Sequence, residues 1–288
     1  MAHVTVIVTW NVQACRGVDG IVDPGRIARV IKSMAPADVI CLQEIACNDP
    51  ERQGDAPADQ VEALADLFPE FEVHFGVAID RAGEPDGTRW RFGNLILTRP
   101  RAIQAFFYSL PEPADGDNKH MPRQATEILI AEAGHVLRVV TTYFDYHLPI
   151  NRVAQIDRLR EIQAQVLANH WTPPPDPGRG PFAATSRPAS LVLCGDFNFI
   201  AGDGHYYRLL SPGENDAAPF RDAWSVCRGD IPNDPTSGVF DREQWPNGPH
   251  CRDFFCVTAD VAGSIRSIDV DLDTNASDQQ PVRLDLNW

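Results

Sequence analysis

The 288-residue sequence contains no apolar run approaching the roughly 18–20 residues that a membrane-spanning helix needs. Its N-terminus lacks a basic flank followed by an apolar stretch and a small-residue cleavage site. No signal peptide is therefore expected, and the expected location is cytoplasmic. The seven cysteines, Cys15, Cys41, Cys47, Cys194, Cys227, Cys251 and Cys256, are odd in number and never take C-x-x-C spacing. That argues against a zinc site or a disulfide framework. No lysine-rich stretch occurs, and 40 acidic residues outnumber 25 basic ones for a net charge of −15. Such a surface repels polyanions unless a local basic patch or a bound cation intervenes, which weakens a general nucleic-acid-binding reading. No internal repeat of fixed period is present.

What remains is a composition ordinary for a globular chain, 43% apolar and 23% charged. Val4–Thr9 is β-branched and alternating, the pattern of a strand. Asp23-Pro24 reads as an N-cap with proline in the first helical position, and Ile27, Val30, Ile31 and Met34 follow on one helical face. Ala35-Pro36 stops that helix. Asp38–Leu42 is a short apolar run, expected to be a buried strand. Val61, Leu64, Ala65 and Phe68 mark a second helix. Strands are expected at Phe71–Ile79, Asn94–Thr98, Ala125–Ala131 and His135–Phe144, with a hairpin turn at Ala133–His135. A long helix is expected from about Asn151, carrying Val153, Ile156, Leu159, Ile162 and Val166. The Pro- and Gly-rich stretch 172–190 reads as a surface loop, because apolar strand residues resume at Leu191. Further strands are expected at Phe254–Thr258, Ser264–Val270 and Val282–Trp288. Strands mixed with helices in this order predict a layered α/β fold with mixed sheets, formed by residues 1–288 as one domain.

Polar residues collect where strands end. Thr9-Trp10-Asn11, Leu42-Gln43-Glu44, Thr142-Tyr143 and Cys194-Gly195-Asp196-Phe197-Asn198 each close a strand, and Ser277-Asp278-Gln279-Gln280-Pro281 precedes the last one. Any one of these is ordinary turn chemistry. Five in one chain point to a shared crevice at the strand ends. Oxygen and amide donors favour a hard cation, Mg²⁺ or Mn²⁺, over zinc. Glu44 is the expected main metal carboxylate, with Asn11 and Asp278 nearby. On an extended backbone Asp196 and Asn198 face the same way, one to orient a water and the other to bond a phosphate oxygen.

Trp10-Asn11, Leu42-Gln43-Glu44, Gly195-Asp196-Phe197-Asn198, Arg252-Asp253-Phe254 and Ser277-Asp278 resemble, in order and spacing, the endonuclease/exonuclease/phosphatase family. Gly93-Asn94-Leu95-Ile96-Leu97-Thr98 and Phe220-Arg221-Asp222-Ala223-Trp224 are lesser echoes. The resemblance runs from about Val4 to Leu286. It implies a four-layer α/β/β/α sandwich, two mixed β-sheets flanked by helices, and phosphate-ester cleavage by in-line water attack. It implies metal-site roles for Asn11, Glu44 and Asp278, a water-activating role for Asp196, and a transition-state and substrate contact at Asn198. Asp253 matches an aspartate that orients a catalytic histidine, and Asn94 is a further expected substrate contact.

Two positions depart from the family pattern. Gln279 stands where the family has histidine. It can donate a hydrogen bond but cannot exchange a proton near neutral pH. Loss of a positioned acid–base group costs about 10²–10⁴ in rate. Tyr143 stands where many members have histidine, a position at which the abasic-endonuclease branch also has tyrosine, and its hydroxyl can contact phosphate or its ring can wall the crevice. His120, His147, His205 and His250 are possible replacement histidines, and Arg123 and Arg152 possible phosphate binders. Two functions remain: a metal-dependent phosphoesterase with an altered centre, or a phosphate-ligand-binding module that has lost the chemistry. The expected partner is a phosphate ester, with no membrane span and no obligate protein partner. Acidity favours a small ester; Tyr143 alone suggests abasic DNA.

Overall fold

The computed structural model describes residues 4–34, 36–52, 54, 56–83, 87–132, 134–172, 178–183, 185–212 and 220–288. Two six-stranded mixed sheets lie face to face. The first contains β1 (Thr5–Asn11), β2 (Val39–Cys47), β3 (Glu72–Ala82), β4 (Arg89–Thr98), β11 (Ile265–Val270) and β12 (Val282–Leu286), in the order β11-β12-β1-β2-β4-β3. The second contains β5 (Ala102–Leu110), β6 (Arg123–Glu132), β7 (His135–Tyr143), β8 (Leu191–Asp196), β9 (Arg221–Asp222) and β10 (Asp253–Val257), in the order β5-β6-β7-β8-β10-β9. Each sheet has one parallel pair at its centre, β1 with β2 and β7 with β8; the other pairings are antiparallel.

Alternation along the strands explains the layers. Ile7, Val39, Cys41 and Ile96 of the first sheet meet Val139, Val192, Cys194 and Phe255 of the second in a shared inner core. The residues between them point outward. Val6, Val8, Ile40 and Leu42 pack under α1 (Pro24–Met34) and α2 (Gln60–Leu67). Val140, Leu193 and Phe254 pack under α3 (Pro149–Trp171) and α4 (Gly204–Leu210). Every residue of β1 is buried, because helices cover one face of its sheet and the second sheet covers the other. The expected four-layer α/β/β/α arrangement is the one found.

Local signals account for most element ends. Asp23 accepts from Arg26 N at 3.0 Å at the start of α1, whose buried face carries Ile27 and Ile31. The β6–β7 hairpin pairs Glu132 with His135 and turns at Gly134, with φ +87°; Ala133 lies outside the described residues, as does Ala35. Helix α3 begins at Pro149, two residues before the expected start at Asn151, since proline suits the first turn. Strand β5 was not expected: it is an edge strand that mixes exposed and half-buried residues. Within the 172–190 stretch the described residues form only one short 3₁₀ turn, Gly180–Phe182; residues 173–177 and 184 lie outside them. Two more short helices are α5 (Ala223–Arg228) and α6 (Ala259–Ala262). Among the described residues no helix is long and apolar enough to cross a membrane.

Candidate active site

The C-terminal ends of the two central parallel pairs converge. Strand β1 ends at Asn11, β7 at Tyr143 and β8 at Asp196, while β2 bulges between Leu42 and Ile45 to present Glu44. Glu44 and Asn198 hold φ of +60° and +51°, left-handed values that side chains adopt at a cost. Gln13, Ala14 and Cys15 follow β1 with φ of 47°, 54° and 58°, a left-handed turn that carries Gln13 over the crevice. Below the site Gln43 Nε2 donates to Thr9 Oγ1 at 3.0 Å and to Thr141 Oγ1 at 2.8 Å, tying the first sheet to the second. Gly195 lets β8 press against β7: a Cβ there would stand 1.9 Å from Thr142 O.

Asp196 is the hub. Its Oδ2 accepts from Asn11 Nδ2 and from Gln279 Nε2, both at 2.9 Å, and its Oδ1 accepts from Asn198 N at 2.9 Å. Oδ2 is thereby saturated, and Oδ1 keeps one lone pair. Asn11 Nδ2 also donates to Glu44 Oε1 at 2.9 Å, so one amide joins two carboxylates. Arg52 Nη1 donates to Glu44 Oε2 at 3.2 Å. Asn198 is fixed from both ends: its Nδ2 donates to Phe144 O at 3.0 Å, and its Oδ1 accepts from Arg252 Nη1 at 2.9 Å. Ser277 Oγ bridges Asn11 O at 2.9 Å and Asp278 Oδ1 at 3.1 Å.

Burial dominates the electrostatics. It raises the Asp278 carboxyl from 3.8 to about 7, with the Glu44 charge adding to the rise. It raises Asp196 as well, against the hydrogen bonds from Gln279 and Asn11. Asp253, register partner of Asp196 across β10 and β8, is pushed well above the carboxylate range by burial and then by Asp196. Neither Asp253 carboxyl oxygen has a hydrogen bond of ordinary geometry among the described residues, nor does Gln279 Oε1. Burial likewise raises the Tyr143 phenol, with Glu44 next in weight.

A cavity of about 330 Å³ opens over this centre. Glu44, Tyr143, Asp196, Asn198, Asp278 and Gln279 line it, so six of the expected site residues meet there; Asn11 sits beneath, bonded to two of them. Asn94 does not line it: its side chain is buried between the sheets and donates to Gln124 O at 3.1 Å. Asp253 stands behind Asp196. Of the possible replacement histidines, His120 and His147 line the cavity. His250 instead accepts from Arg252 Nε at 2.7 Å, and His205 lies against Pro149 O. Arg152 is spent on the carbonyls of Asp145 and Tyr146.

Arg123 gains weight from the structure. It is 5% exposed, lines the cavity, and stacks on the Tyr143 ring with its guanidinium carbon 3.8 Å from the centroid. Its Nε and Nη1 have no partner among the described residues. A buried, unpaired guanidinium is costly unless an anion satisfies it. Arg52, Gln13, Gln244 and Trp245 also line the cavity and carried no sequence signal.

The donor set suits a hard divalent cation. Among the described residues no group of three or more His, Cys, Asp and Glu side chains is arranged to hold a metal. Magnesium needs only one or two carboxylates, with water and amide oxygens completing its shell. Glu44 and Asp278 could provide those two, and the Glu44 charge already raises the Asp278 carboxyl, a repulsion that a cation would relieve.

Comparisons with known proteins agree with this fold. No curated protein matches the chain. An endonuclease/exonuclease/phosphatase from Beutenbergia cavernae superposes with a TM-score of 0.69 at 20% identity, over 98% of this chain and 71% of its own. A mannosyl-6-phosphatase from Bacteroides thetaiotaomicron gives 0.66 at 17% identity, over 97% of this chain and 98% of its own. Truncated TDP2 from Caenorhabditis elegans gives 0.63 at 14% identity, over 98% and 97%. At these identities the likeness is one of fold. The family model for the Endonuclease/Exonuclease/phosphatase family matches residues 8–278. The chain belongs to the endonuclease/exonuclease/phosphatase family, whose members are metal-dependent phosphoesterases.

Proposed function

We propose that this chain hydrolyses a phosphate ester, monoester or diester, by in-line attack of water, with Mg²⁺ or Mn²⁺ held by Glu44, Asp278 and Asn11. The observation that carries this reading is Asp196, a carboxylate fixed by three N–H donors on the wall of a cavity that two further carboxylates share. Its free Oδ1 lone pair is the acceptor for a proton of the attacking water. The water oxygen bonds to phosphorus as the bond from phosphorus to the leaving oxygen breaks. The leaving oxygen departs with the electron pair and takes its proton from solvent, because the Gln279 amide does not release a proton near neutral pH. Asn198, Tyr143 and Arg123 contact the phosphoryl oxygens, and Gln279 positions Asp196. The cation, when bound, supplies positive charge to the phosphoryl group as negative charge develops.

A second reading rests on Gln279 itself. A neutral amide stands where the family resemblance expects histidine, and the Asp253 carboxyl oxygens have no hydrogen bond of ordinary geometry among the described residues. On that reading the chain binds phosphate ligands without turning them over. Hydrolysis of p-nitrophenyl phosphate and bis(p-nitrophenyl) phosphate in Mg²⁺, Mn²⁺ or EDTA separates the two. Metal-dependent nitrophenol release supports the enzyme. Absence of release at saturating metal overturns it.

A further inference from the structure

The cavity has two unlike walls. On one side Lys119 and Arg123 bring positive charge, and Arg123 has unsatisfied donors. Elsewhere in the lining stand two neutral amides, Gln13 and Gln244. There Gln13 Nε2 donates to Gln244 Oε1 at 3.3 Å, joining the turn after β1 to the segment before β10. A carboxamide offers two donors and two lone pairs, so after this single bond both glutamines keep capacity in both senses. Trp245 and Tyr146 stand beside them edge to face, with centroids 5.9 Å apart and planes at 77°. The Arg252 guanidinium braces both rings, 4.5 Å from Trp245 and 5.4 Å from Tyr146. The indole Nε1 of Trp245 is buried without a partner among the described residues.

We infer that the leaving group is a small polyhydroxylated molecule, so that the substrate is a sugar or polyol phosphate monoester. This rests on the phosphoesterase reading above. Amides with spare donors and acceptors match hydroxyl groups, which also donate and accept. A braced aromatic corner gives the less polar face of such a molecule a surface to rest on. The cationic wall matches the two negative charges of a monoester. Met121 is the one aliphatic side chain among the described residues lining the cavity, so an acyl chain finds no bed there. At about 330 Å³ the cavity sits at the lower end of the roughly 300–1,000 Å³ range of ligand pockets. A net charge of −15 opposes the approach of a nucleic-acid strand.

The test uses the whole chain with saturating Mn²⁺ or Mg²⁺ and four substrates: hexose 6-phosphate, p-nitrophenyl phosphate, a single-stranded oligonucleotide, and vesicles containing a phosphoinositide. The expected result is a KM for the hexose phosphate about tenfold below that for p-nitrophenyl phosphate, with the polymer and the vesicles turned over more slowly than either. Gln244→Ala should raise the KM for the hexose phosphate about fivefold more than it raises the KM for p-nitrophenyl phosphate. Preference for the oligonucleotide or the vesicles overturns the inference, as does an equal effect of Gln244→Ala on both KM values. If p-nitrophenyl phosphate is also untouched, the hydrolase reading fails separately. Calorimetric titration with hexose 6-phosphate then decides: saturable heat that Gln244→Ala weakens supports the hydroxyl-binding wall, and no heat overturns it.

Discussion

Gln279 donates its Nε2 to Asp196 Oδ2 at 2.9 Å. A histidine at position 279 could hold the same carboxylate or bond a phosphate oxygen, and could also exchange a proton. The amide holds, but it does not titrate. On the proposed function the centre therefore positions Asp196 without an acid–base group at 279. Gln279→Leu, close in volume and without the donor, removes a hydrogen bond to a charged group worth about 1.5–3 kcal/mol. The expected result is a fall in kcat of about 10–100-fold with a much smaller change in KM, read from steady-state kinetics. A change confined to KM would mean that Gln279 binds substrate and does not position Asp196.

Arg123 is buried against the Tyr143 ring with its Nε and Nη1 unsatisfied among the described residues, so part of its cost in the free protein is recovered only with an anion present. Arg123→Met is expected to leave the ligand-free melting temperature equal or higher while raising KM about tenfold or more. Thermal unfolding and kinetics on the same preparations check both halves. A lower melting temperature with unchanged KM would make Arg123 a structural residue.

Asp278 makes the metal-free protein sensitive to pH. Its folded pKa, about 7, lies above the ordinary 3.8. Across that window the folded protein retains a proton that the unfolded chain has released. Stability is therefore lost as pH rises from about 4 to about 7, and the full cost stands above it. In EDTA, Asp278→Asn is expected to melt near wild type at about pH 4 and several degrees above it at about pH 8. Added Mn²⁺ should reverse the order, because only wild type keeps both carboxylates. A melting difference that ignores pH and metal would contradict the assignment.

Away from the site, Glu127 and Arg138 are 0% and 1% exposed and pair at 2.9 Å, with Arg187 bonded to the same carboxylate. Removing Arg138 takes away the fully buried, bidentate partner and leaves Glu127 to the part-exposed Arg187. Arg138→Met is expected to cost about 3–5 kcal/mol in denaturant unfolding. Replacing Glu127 and Arg138 together by apolar residues should cost less than the sum of the single changes, because neither charge is then stranded. Additive costs would show that the pair is not coupled.

Much of this architecture is legible in the sequence, for local reasons. Strand β1 announces itself by β-branched alternation and stops at Asn11. Asp196 and Asn198 flank a phenylalanine at the end of an apolar run. What is not legible depends on contacts between distant residues. Arg123 reads as one of many arginines until Tyr143 is found stacked against it. Gln244 and Trp245 lie in the stretch between α5 and β10, which has neither helix nor strand and so no periodicity to read. Asn94 was expected at the substrate because its motif resembles a family strand. Its pairing with Gly76 turns the side chain to Gln124 O between the sheets instead. Strand β5 lacked the clean alternation that marks a buried strand, being an edge.

The central claim is that Asp196, held by Asn11, Asn198 and Gln279, serves metal-dependent ester hydrolysis without a histidine at position 279. Hydrolysis of bis(p-nitrophenyl) phosphate in Mg²⁺ or Mn²⁺ by wild type, Asp196→Ala and Gln279→His tests it most directly. The account predicts metal-dependent release by wild type, a loss of about 10²–10⁴ in Asp196→Ala, and a raised or altered rate in Gln279→His, which restores a titratable group beside Asp196. Wild-type silence alongside activity in Gln279→His would contradict it, and would identify an intact scaffold that binds and does not cleave.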